Sequence, residues 1–276
     1  MISSNFSILM AVYKNDDPVL FKHALDSVYL NTLQPKEFVI VADGPLNEDL
    51  LEAIEFFSHN QSLRIIQLPI NAGLANALNV GLKTINTEYT IRADADDFNY
   101  PNRFQELIGK LEEGYDLVGS YVREIDKFGN FLSFREVPET TDQIKKYIKR
   151  RNPFNHMSVG FRTKVVRESG GYPNFHLRED YGLWATLISK GFLACNIKKF
   201  LVDASAGKEM FVRRGGVKSA YAEIDLQIHL VKKGLKNKFA ALIDGCLRAL
   251  IFLAPSFARE FIYLSFLRKN NKSNYL

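Results

Sequence analysis

The chain has 276 residues, of which 46% are hydrophobic, and a formal net charge of +5. This length and composition allow one large buried core, held by one domain or by one domain with an appendage. No stretch approaches the ~18 uncharged residues of a membrane-spanning helix, and Met1–Phe6 lacks the basic start and apolar segment of a signal peptide, so neither is expected. The two cysteines, Cys195 and Cys246, lack metal-ligand spacing, which favours a reducing compartment.

The charge is distributed unevenly along the chain. Residues 1–206 contain 23 Lys and Arg against 26 Asp and Glu, a net charge of −3, whereas residues 207–276 contain 13 against 5, a net charge of +8. We therefore predict a body over residues 1–206 and a basic extension over residues 207–276. A basic tail on a slightly acidic body indicates an anionic partner, usually a nucleic acid or a membrane surface.

Short apolar runs predict four strands that alternate with helices in the first part of the chain. The strands are Phe6–Tyr13, Phe38–Ala42, Leu63–Leu68 and Tyr89–Ala93, and the helices start near Pro18, after Asn47 and at Asn71. Alternation with short loops predicts right-handed crossovers and a parallel, doubly wound α/β sheet. Ligands bind outside the carboxyl ends of such strands, so Tyr13, Asp43, Asp94 and Asp96 should face one crevice.

The pattern changes in the second part of the chain. It predicts a helix from Pro101 to Glu113, a strand at Asp116–Ser120, a hairpin within Tyr121–Phe134, a helix at Glu139–Arg151, a strand at Asn155–Arg162, a helix at Glu179–Lys190 and a strand at Asn196–Val202. From Lys218 onward, two or three amphipathic helices carry basic residues. Their apolar faces could pack on the body or lie on a membrane surface. We predict peripheral membrane binding through this tail, weakened by salt.

An acidic cluster ends the fourth predicted strand, at Asp94, Asp96 and Asp97. Alternation along a strand would place Asp94 and Asp96 on one face and Asp97 on the other. Paired carboxylates at a strand end suit a hard divalent cation that also binds substrate phosphates. An isolated Asp-x-Asp is more typical of a solvated acidic turn, so the accompanying motifs decide between these readings.

Five segments provide those motifs: Ser7–Tyr13, Val41–Pro45, Asn71–Asn79, Ala93–Asp97 and Arg178–Trp184. Their order and spacing over roughly residues 6–190 resemble the family 2 glycosyltransferases of bacterial surface-polysaccharide synthesis. The resemblance implies the GT-A fold, a Rossmann-like, mostly parallel sheet, here with a helical C-terminal extension. Asp43-Gly44-Pro45 stands where the family usually has Asp-Gly-Ser, which removes a hydroxyl but keeps the carboxylate. The resemblance fades over the last ~70 residues.

The resemblance also implies a site for a UDP-sugar donor. Asp43 would accept hydrogen bonds from uracil, Asp94 would lie near the ribose or the donor sugar, and Asp96 would coordinate Mn²⁺ or Mg²⁺ on the diphosphate. The other residues assigned to donor binding are Ala11, Tyr13, Asn71, Arg92, Arg213 and Arg214. The last two follow the body in a Gly-rich loop that suits a lid, because guanidinium groups pair with phosphate oxygens.

On the acceptor side, the family's general base maps onto Asp180, the second carboxylate of a pair that opens a helix. The base would take the proton of the attacking hydroxyl. We also place Asn155, His156, Glu179 and Trp184 on this side. Several of these have a structural alternative: two acidic residues are typical of any helix start, a lone His is usually structural, and Trp184 has the spacing of a core residue.

The resemblance implies an inverting, metal-dependent glycosyltransferase that uses UDP-galactose or UDP-glucose and forms a β-linkage. The implied acceptor is a sugar on a lipid diphosphate, and the implied location is the inner face of the bacterial cell membrane, as a peripheral protein that binds anionic lipid and no nucleic acid. One alternative is a sugar-1-phosphate nucleotidyltransferase, but its Gly-rich signature is missing after Ala11. The other is a non-catalytic sugar-nucleotide or membrane-binding module, against which the combination of Asp43, Asp96 and Asp180 argues.

Overall fold

The computed structural model describes residues 5–206 and 215–255, which form a nine-stranded sheet flanked by helices. The strands are β1 (Phe6–Val12), β2 (Glu37–Ala42), β3 (Leu63–Gln67), β4 (Tyr89–Arg92), β5 (Phe98–Asn99), β6 (Leu117–Ile125), β7 (Phe131–Arg135), β8 (Gly160–Arg162) and β9 (Ala194–Ser205). The helices are α1 (Pro18–Tyr29), α2 (Glu48–Phe57), α3 (Leu74–Thr84), α4 (Arg103–Glu112), α5 (Thr141–Tyr147), α6 (Thr163–Glu168), α7 (Glu179–Ser189), α8 (Val217–Lys232) and α9 (Lys238–Leu253).

The first half of the sheet confirms the predicted parallel arrangement. Strands β3, β2, β1 and β4 lie side by side in that order, and each pair is parallel. Side chains of β1 alternate between two apolar cores: Ile8 and Met10 belong to the core that includes residues of α1 and α4, and Leu9 packs against α3 in the other. Because both faces are buried, β1 and β2 are almost continuously apolar in sequence.

The second half of the sheet is mixed. Strand β8 lies antiparallel between β4 and β6, while β6 and β9 run parallel, and β5 and β7 add antiparallel pairs. The predicted break after Ser120 is wrong, because β6 runs unbroken from Leu117 to Ile125. The predicted strand at Asn155–Arg162 is also wrong in its first half. A 3₁₀ turn at His156–Ser158 replaces it, closed by the Ser158 amide, which donates to the Asn155 carbonyl at 2.9 Å.

The C-terminal helices form a hairpin on the body. Leu226 and Leu230 of α8 belong to the same core cluster as α7, and α9 packs on α8. Ala241 and Gly245 are the buried residues of α9, and a Cβ on Gly245 would lie 3.4 Å from Gln227, so these small residues allow the two helices to pack closely. The division of the chain at residue 206 stays a prediction.

No helix within the described residues is both long enough and apolar enough to cross a bilayer. Cys195 is buried in β9, whereas Cys246 is exposed on α9, and both thiols are free.

Candidate active site

The acidic cluster lies in the turn between β4 and β5. Strand β4 ends at Arg92, so strand alternation does not extend to the three aspartates. The prediction that Asp97 opposes the other two is therefore wrong. One carboxylate oxygen from each of Asp94, Asp96 and Asp97 lies within 4.8 Å of the others.

Asp97 is the buried member of this cluster. Its Oδ1 accepts a hydrogen bond from the Ser205 amide at 2.8 Å, while its Oδ2 has no partner among the described residues. Burial, reinforced by the charges of Asp96 and Asp94, raises the pKa of Asp97 well above its usual range. The cluster thus combines hard oxygen donors with closely spaced acidic groups, and these residues fit a divalent cation.

Arg92 supplies positive charge beneath the cluster. Its side chain is 1% exposed and one terminal nitrogen pairs with Asp94. Its Nε and its other terminal nitrogen have no partner in the described part of the chain. The positive charge of Arg92 contributes to the pKa shifts of four side chains, those of Asp97, His156, Tyr172 and Glu179. The Arg92 guanidinium therefore lies at the centre of the site.

The predicted nucleotide side is built around Asp43, directly after β2. Its two carboxylate oxygens accept hydrogen bonds from the amides of Ala72 and Gly73, at 2.8 and 2.9 Å. The Asn71 side-chain amide donates to the Asp43 carbonyl at 3.1 Å. These bonds hold residues 71–73 as a loop, which is why α3 starts at Leu74 rather than at the predicted Asn71.

Gly44 allows this loop to approach the strand end. Its φ is +90°, and a Cβ here would lie 2.7 Å from the Asn71 nitrogen. Ala11 and Tyr13 border the same strand ends and are half-buried. The role of these residues in binding uracil stays a prediction.

Asp180 and Glu179 open α7 on the other side of the site. Asp180 accepts hydrogen bonds from the Asn152 side-chain amide at 2.5 Å and from the Tyr181 amide at 2.7 Å, so its carboxylate is fixed in place. Glu179 is buried, and this desolvation, together with the neighbouring Asp180 charge, raises the pKa of Glu179 to about 7.

His156 lies between the two groups of carboxylates. Its Nε2 is 3.2 Å from the Tyr172 hydroxyl, and its ring packs against Tyr172 and Trp184. Burial lowers the pKa of His156 to about 4, with a further contribution from Arg92, while the charges of Asp180 and Asp94 oppose the shift. The imidazole is therefore neutral near pH 7.

Two further predicted residues, Asn155 and Trp184, are buried and do not face the crevice. Asn155 is fully buried and its amide donates to the Ser120 carbonyl at 2.9 Å, and Trp184 is fully buried behind His156. Neither side chain is placed to touch an acceptor directly. Arg213 and Arg214 lie outside the described residues.

Sequence reasoning missed Tyr172 and Asn152, which orient His156 and Asp180. Tyr172 itself is placed by Asn79, whose side-chain oxygen accepts from the Tyr172 amide and whose amide donates to the Tyr172 carbonyl, both at 2.8 Å. These contacts join residues 93 positions apart in sequence, so no local pattern marks them.

Comparison with known proteins identifies the family. The family model described as glycosyl transferase family 2 matches residues 7–168. The chain is 35% identical over 96% of its length to an Escherichia coli protein named UDP-Gal:alpha-D-GlcNAc-diphosphoundecaprenol beta-1,3-galactosyltransferase, covering 97% of that protein. It is 32% identical over 94% of its length to the amylovoran biosynthesis glycosyltransferase AmsE of Erwinia amylovora, covering 97% of it.

Solved structures agree in fold at lower identity. The crystal structure of S. aureus TarS 1-349 in complex with UDP-GlcNAc matches 95% of this chain and 76% of that chain, with a TM-score of 0.69 and 18% identity. The mannosyltransferase PcManGT from Pyrobaculum calidifontis, in complex with GDP-Man and Mn2+, matches 95% of this chain and 87% of that chain, with a TM-score of 0.60 and 15% identity. The resemblance predicted from the five motifs is confirmed: the chain belongs to glycosyltransferase family 2, and it is a glycosyltransferase with the GT-A fold.

Proposed function

We propose that this enzyme transfers galactose from UDP-galactose to a lipid-diphosphate-linked N-acetylglucosamine and forms a β-linkage. The observation that carries this proposal is the 35% identity to the galactosyltransferase of that specificity, because it extends over 96% of one chain and 97% of the other. The match therefore continues past residue 168, where the family model ends, into the part that would bind the acceptor. Of the two donors expected from the sequence, this relative favours UDP-galactose over UDP-glucose.

On the donor side, Asp94, Asp96 and Asp97 would hold Mn²⁺ or Mg²⁺, which stabilises the negative charge that the leaving diphosphate gains. Asp43 and the loop it fixes would hold the uridine. Arg92 keeps Asp94 in place through their ion pair and balances part of the charge of the cluster.

On the acceptor side, Asp180 would act as the general base. The acceptor oxygen attacks C1 of the sugar as its proton moves to the Asp180 carboxylate, and the C1–O bond breaks with its electron pair leaving on UDP. A single displacement inverts C1, so an α-linked donor gives a β-glycoside. Burial raises the pKa of Glu179 to about 7, so this neighbour of Asp180 is partly protonated near pH 7.

The proposed acceptor also assigns a location. A sugar on a lipid diphosphate lies at a membrane surface, so the enzyme would act as a peripheral protein at the inner face of the cell membrane, with anionic lipid as a partner. We propose no nucleic-acid partner.

The test uses the purified full chain with a synthetic N-acetylglucosamine diphosphate that carries a short lipid. UDP release is measured with UDP-galactose, UDP-glucose and UDP-N-acetylglucosamine, each with Mn²⁺, with Mg²⁺ and with EDTA. We expect turnover with UDP-galactose and a divalent cation, and a β-linkage by NMR of the product. Full activity in EDTA contradicts the metal assignment, preference for another UDP-sugar contradicts the donor, and an α-linked product contradicts the single displacement.

A further inference from the structure

The α8–α9 hairpin exposes an apolar surface on the side away from the body. On α9, the exposed apolar residues lie within an arc of about 140° at 100° per residue. They are Phe239, Leu242, Ile243, Leu247, Leu250 and Leu253, with exposed fractions from 43 to 73%. On α8, Val217, Tyr221, Ile224 and Ile228 share an arc of about 60° and are also exposed. Within residues 5–206 and 215–255 nothing covers these side chains, and we call them the apolar ridge.

A basic groove lies at the turn of the same hairpin. It has a volume of about 500 Å³, and its walls come from α5, the end of α7 and the turn between α8 and α9. Four lysines line it, together with one carboxylate: Lys145, Lys146, Lys149, Lys233 and Asp142. Ile188 and Leu235 add apolar contact. The groove is therefore positively charged, and three of its four lysines come from the body rather than from the basic extension.

Helix α9 connects the groove to the catalytic region. Leu235 lines the groove, and α9 starts at Lys238, three residues later. At the other end of α9, Phe252 packs under the Arg178 guanidinium, 4.8 Å from the ring centre to the guanidinium carbon. Arg178 and Arg248 also pair with the buried Glu223 of α8, at 3.2 and 3.4 Å. Arg178 directly precedes Glu179 and Asp180, so helix α9 extends from the basic groove to the helix start that carries the proposed base.

We propose that the apolar ridge and the basic groove form one membrane-docking surface, on which the ridge enters the lipid interface and the groove binds anionic phospholipid headgroups. This inference rests on the proposed function, because it assigns the surface that brings the site to a lipid-linked acceptor. Charge complementarity favours anionic lipid, since lysines near a bilayer attract acidic headgroups. An apolar helix face bordered by lysines is the pattern of helices that lie in the membrane interface. Docking in this orientation holds Asp180 near the membrane surface.

The experiment is co-sedimentation of the full chain with vesicles of phosphatidylcholine alone or with added phosphatidylglycerol, at about 50 mM and about 500 mM NaCl. The groove variant K145E/K146E/K149E and the ridge variant L242S/L247S/L250S are compared with two controls. The controls are K36E/K83E/K164E, which reverses three exposed lysines outside the groove, and L51S/F56S, which removes exposed apolar groups from α2.

We expect the wild type to bind the anionic vesicles and both controls to stay within about twofold of it. The affinity of the groove variant for anionic vesicles should fall by at least about fivefold at low salt. The affinity of the ridge variant should fall by as much at both salt concentrations, because the ridge contributes to binding through the hydrophobic effect. Wild-type binding that is negligible, or that both variants retain, overturns the proposal. So does a ridge variant that binds normally but converts a dimer to a monomer or unfolds at lower temperature, because a second copy or residues 256–276 would then cover the ridge.

Turnover of the water-soluble, short-lipid acceptor separates this proposal from the proposed function. Both variants should retain wild-type turnover in the absence of vesicles, since none of their substitutions touches the site, and they should lose it only with a long-chain acceptor in anionic vesicles. If the wild type binds vesicles through these residues but turns over neither acceptor, the proposed function is wrong and the docking surface stands.

Discussion

The two halves of the active site differ in how the chain positions its charged groups. In the first half, Asp43 and Asp94 follow β2 and β4, the two parallel neighbours of β1, so the sheet itself brings their carboxylates together. In the second half, His156, Tyr172 and Asp180 come from a 3₁₀ turn, a loop and a helix start, and side-chain hydrogen bonds orient them. The first half thus depends on backbone topology, and the second depends on a buried polar network, which fails when one partner is removed.

The largest expected effect of a substitution is on the first half. Asp96→Ala should lower turnover by about 10³-fold or more, because Asp96 is proposed to bind the cation that would stabilise the leaving diphosphate. Circular dichroism should show an unchanged fold, since Asp96 is the most exposed aspartate of the cluster. The matched control is Asp49→Ala, which removes an exposed carboxylate from α2 and should leave turnover unchanged. Normal turnover of Asp96→Ala with added Mn²⁺ would assign the cation to Asp97.

The corresponding substitution in the second half separates chemistry from donor binding. Asp180→Asn should lower kcat by about 10²–10⁴-fold, the usual contribution of a general base, and should leave UDP-galactose affinity unchanged. Single-turnover kinetics and calorimetry with UDP-galactose measure the two quantities. Asp225→Asn, on the exposed side of α8, is the control. An equal loss of donor affinity would place Asp180 in the donor site and make the division into halves wrong.

A smaller effect is expected where the backbone positions the first half. Gly44→Ala should lower the free energy of unfolding by about 2–4 kcal/mol, because it combines an unfavourable φ of +90° with a contact of 2.7 Å to the Asn71 nitrogen. Gly129→Ala is the control, since Gly129 has a φ of +82° but no heavy atom within 4 Å, and it should lose only about 1–2 kcal/mol. Urea denaturation measures both. Equal losses of unfolding free energy in the two variants would show that the loop at residues 71–73 moves aside at no energetic cost.

The smallest expected effect is a pH dependence in the second half. Because the folded-state pKa of Glu179 is about 7, above its usual value, ionising it destabilises the fold progressively as the pH rises from about 4.5 to 7. Glu179→Gln should therefore raise the free energy of unfolding by about 1–3 kcal/mol at pH 8, and the gain should shrink toward pH 5. Thermal unfolding at both pH values tests this. A gain that is the same at both would contradict the burial of an ionisable Glu179.

The same difference explains what the sequence could predict. The parallel half of the fold and the positions of Asp43, Asp94 and Asp96 follow from apolar runs that end in carboxylates, a pattern that is local along the chain. The grouping of Asp97 with Asp94 was not predictable, because it depends on β4 ending at Arg92 and on a hydrogen bond from Ser205, 108 residues away. The turn at His156 and the role of Tyr172 were missed for the same reason, since their contacts are formed only by tertiary packing.

The two cysteines described above make the hairpin open to direct observation. Burial raises the pKa of the Cys195 thiol to about 12, so at neutral pH it provides almost no reactive thiolate. Cys246 is exposed on α9, within the arc of the apolar ridge. A maleimide dye should therefore label the natural chain at Cys246 alone. Its emission colour would report, without any engineered residue, whether this helix is surrounded by water or by lipid during turnover.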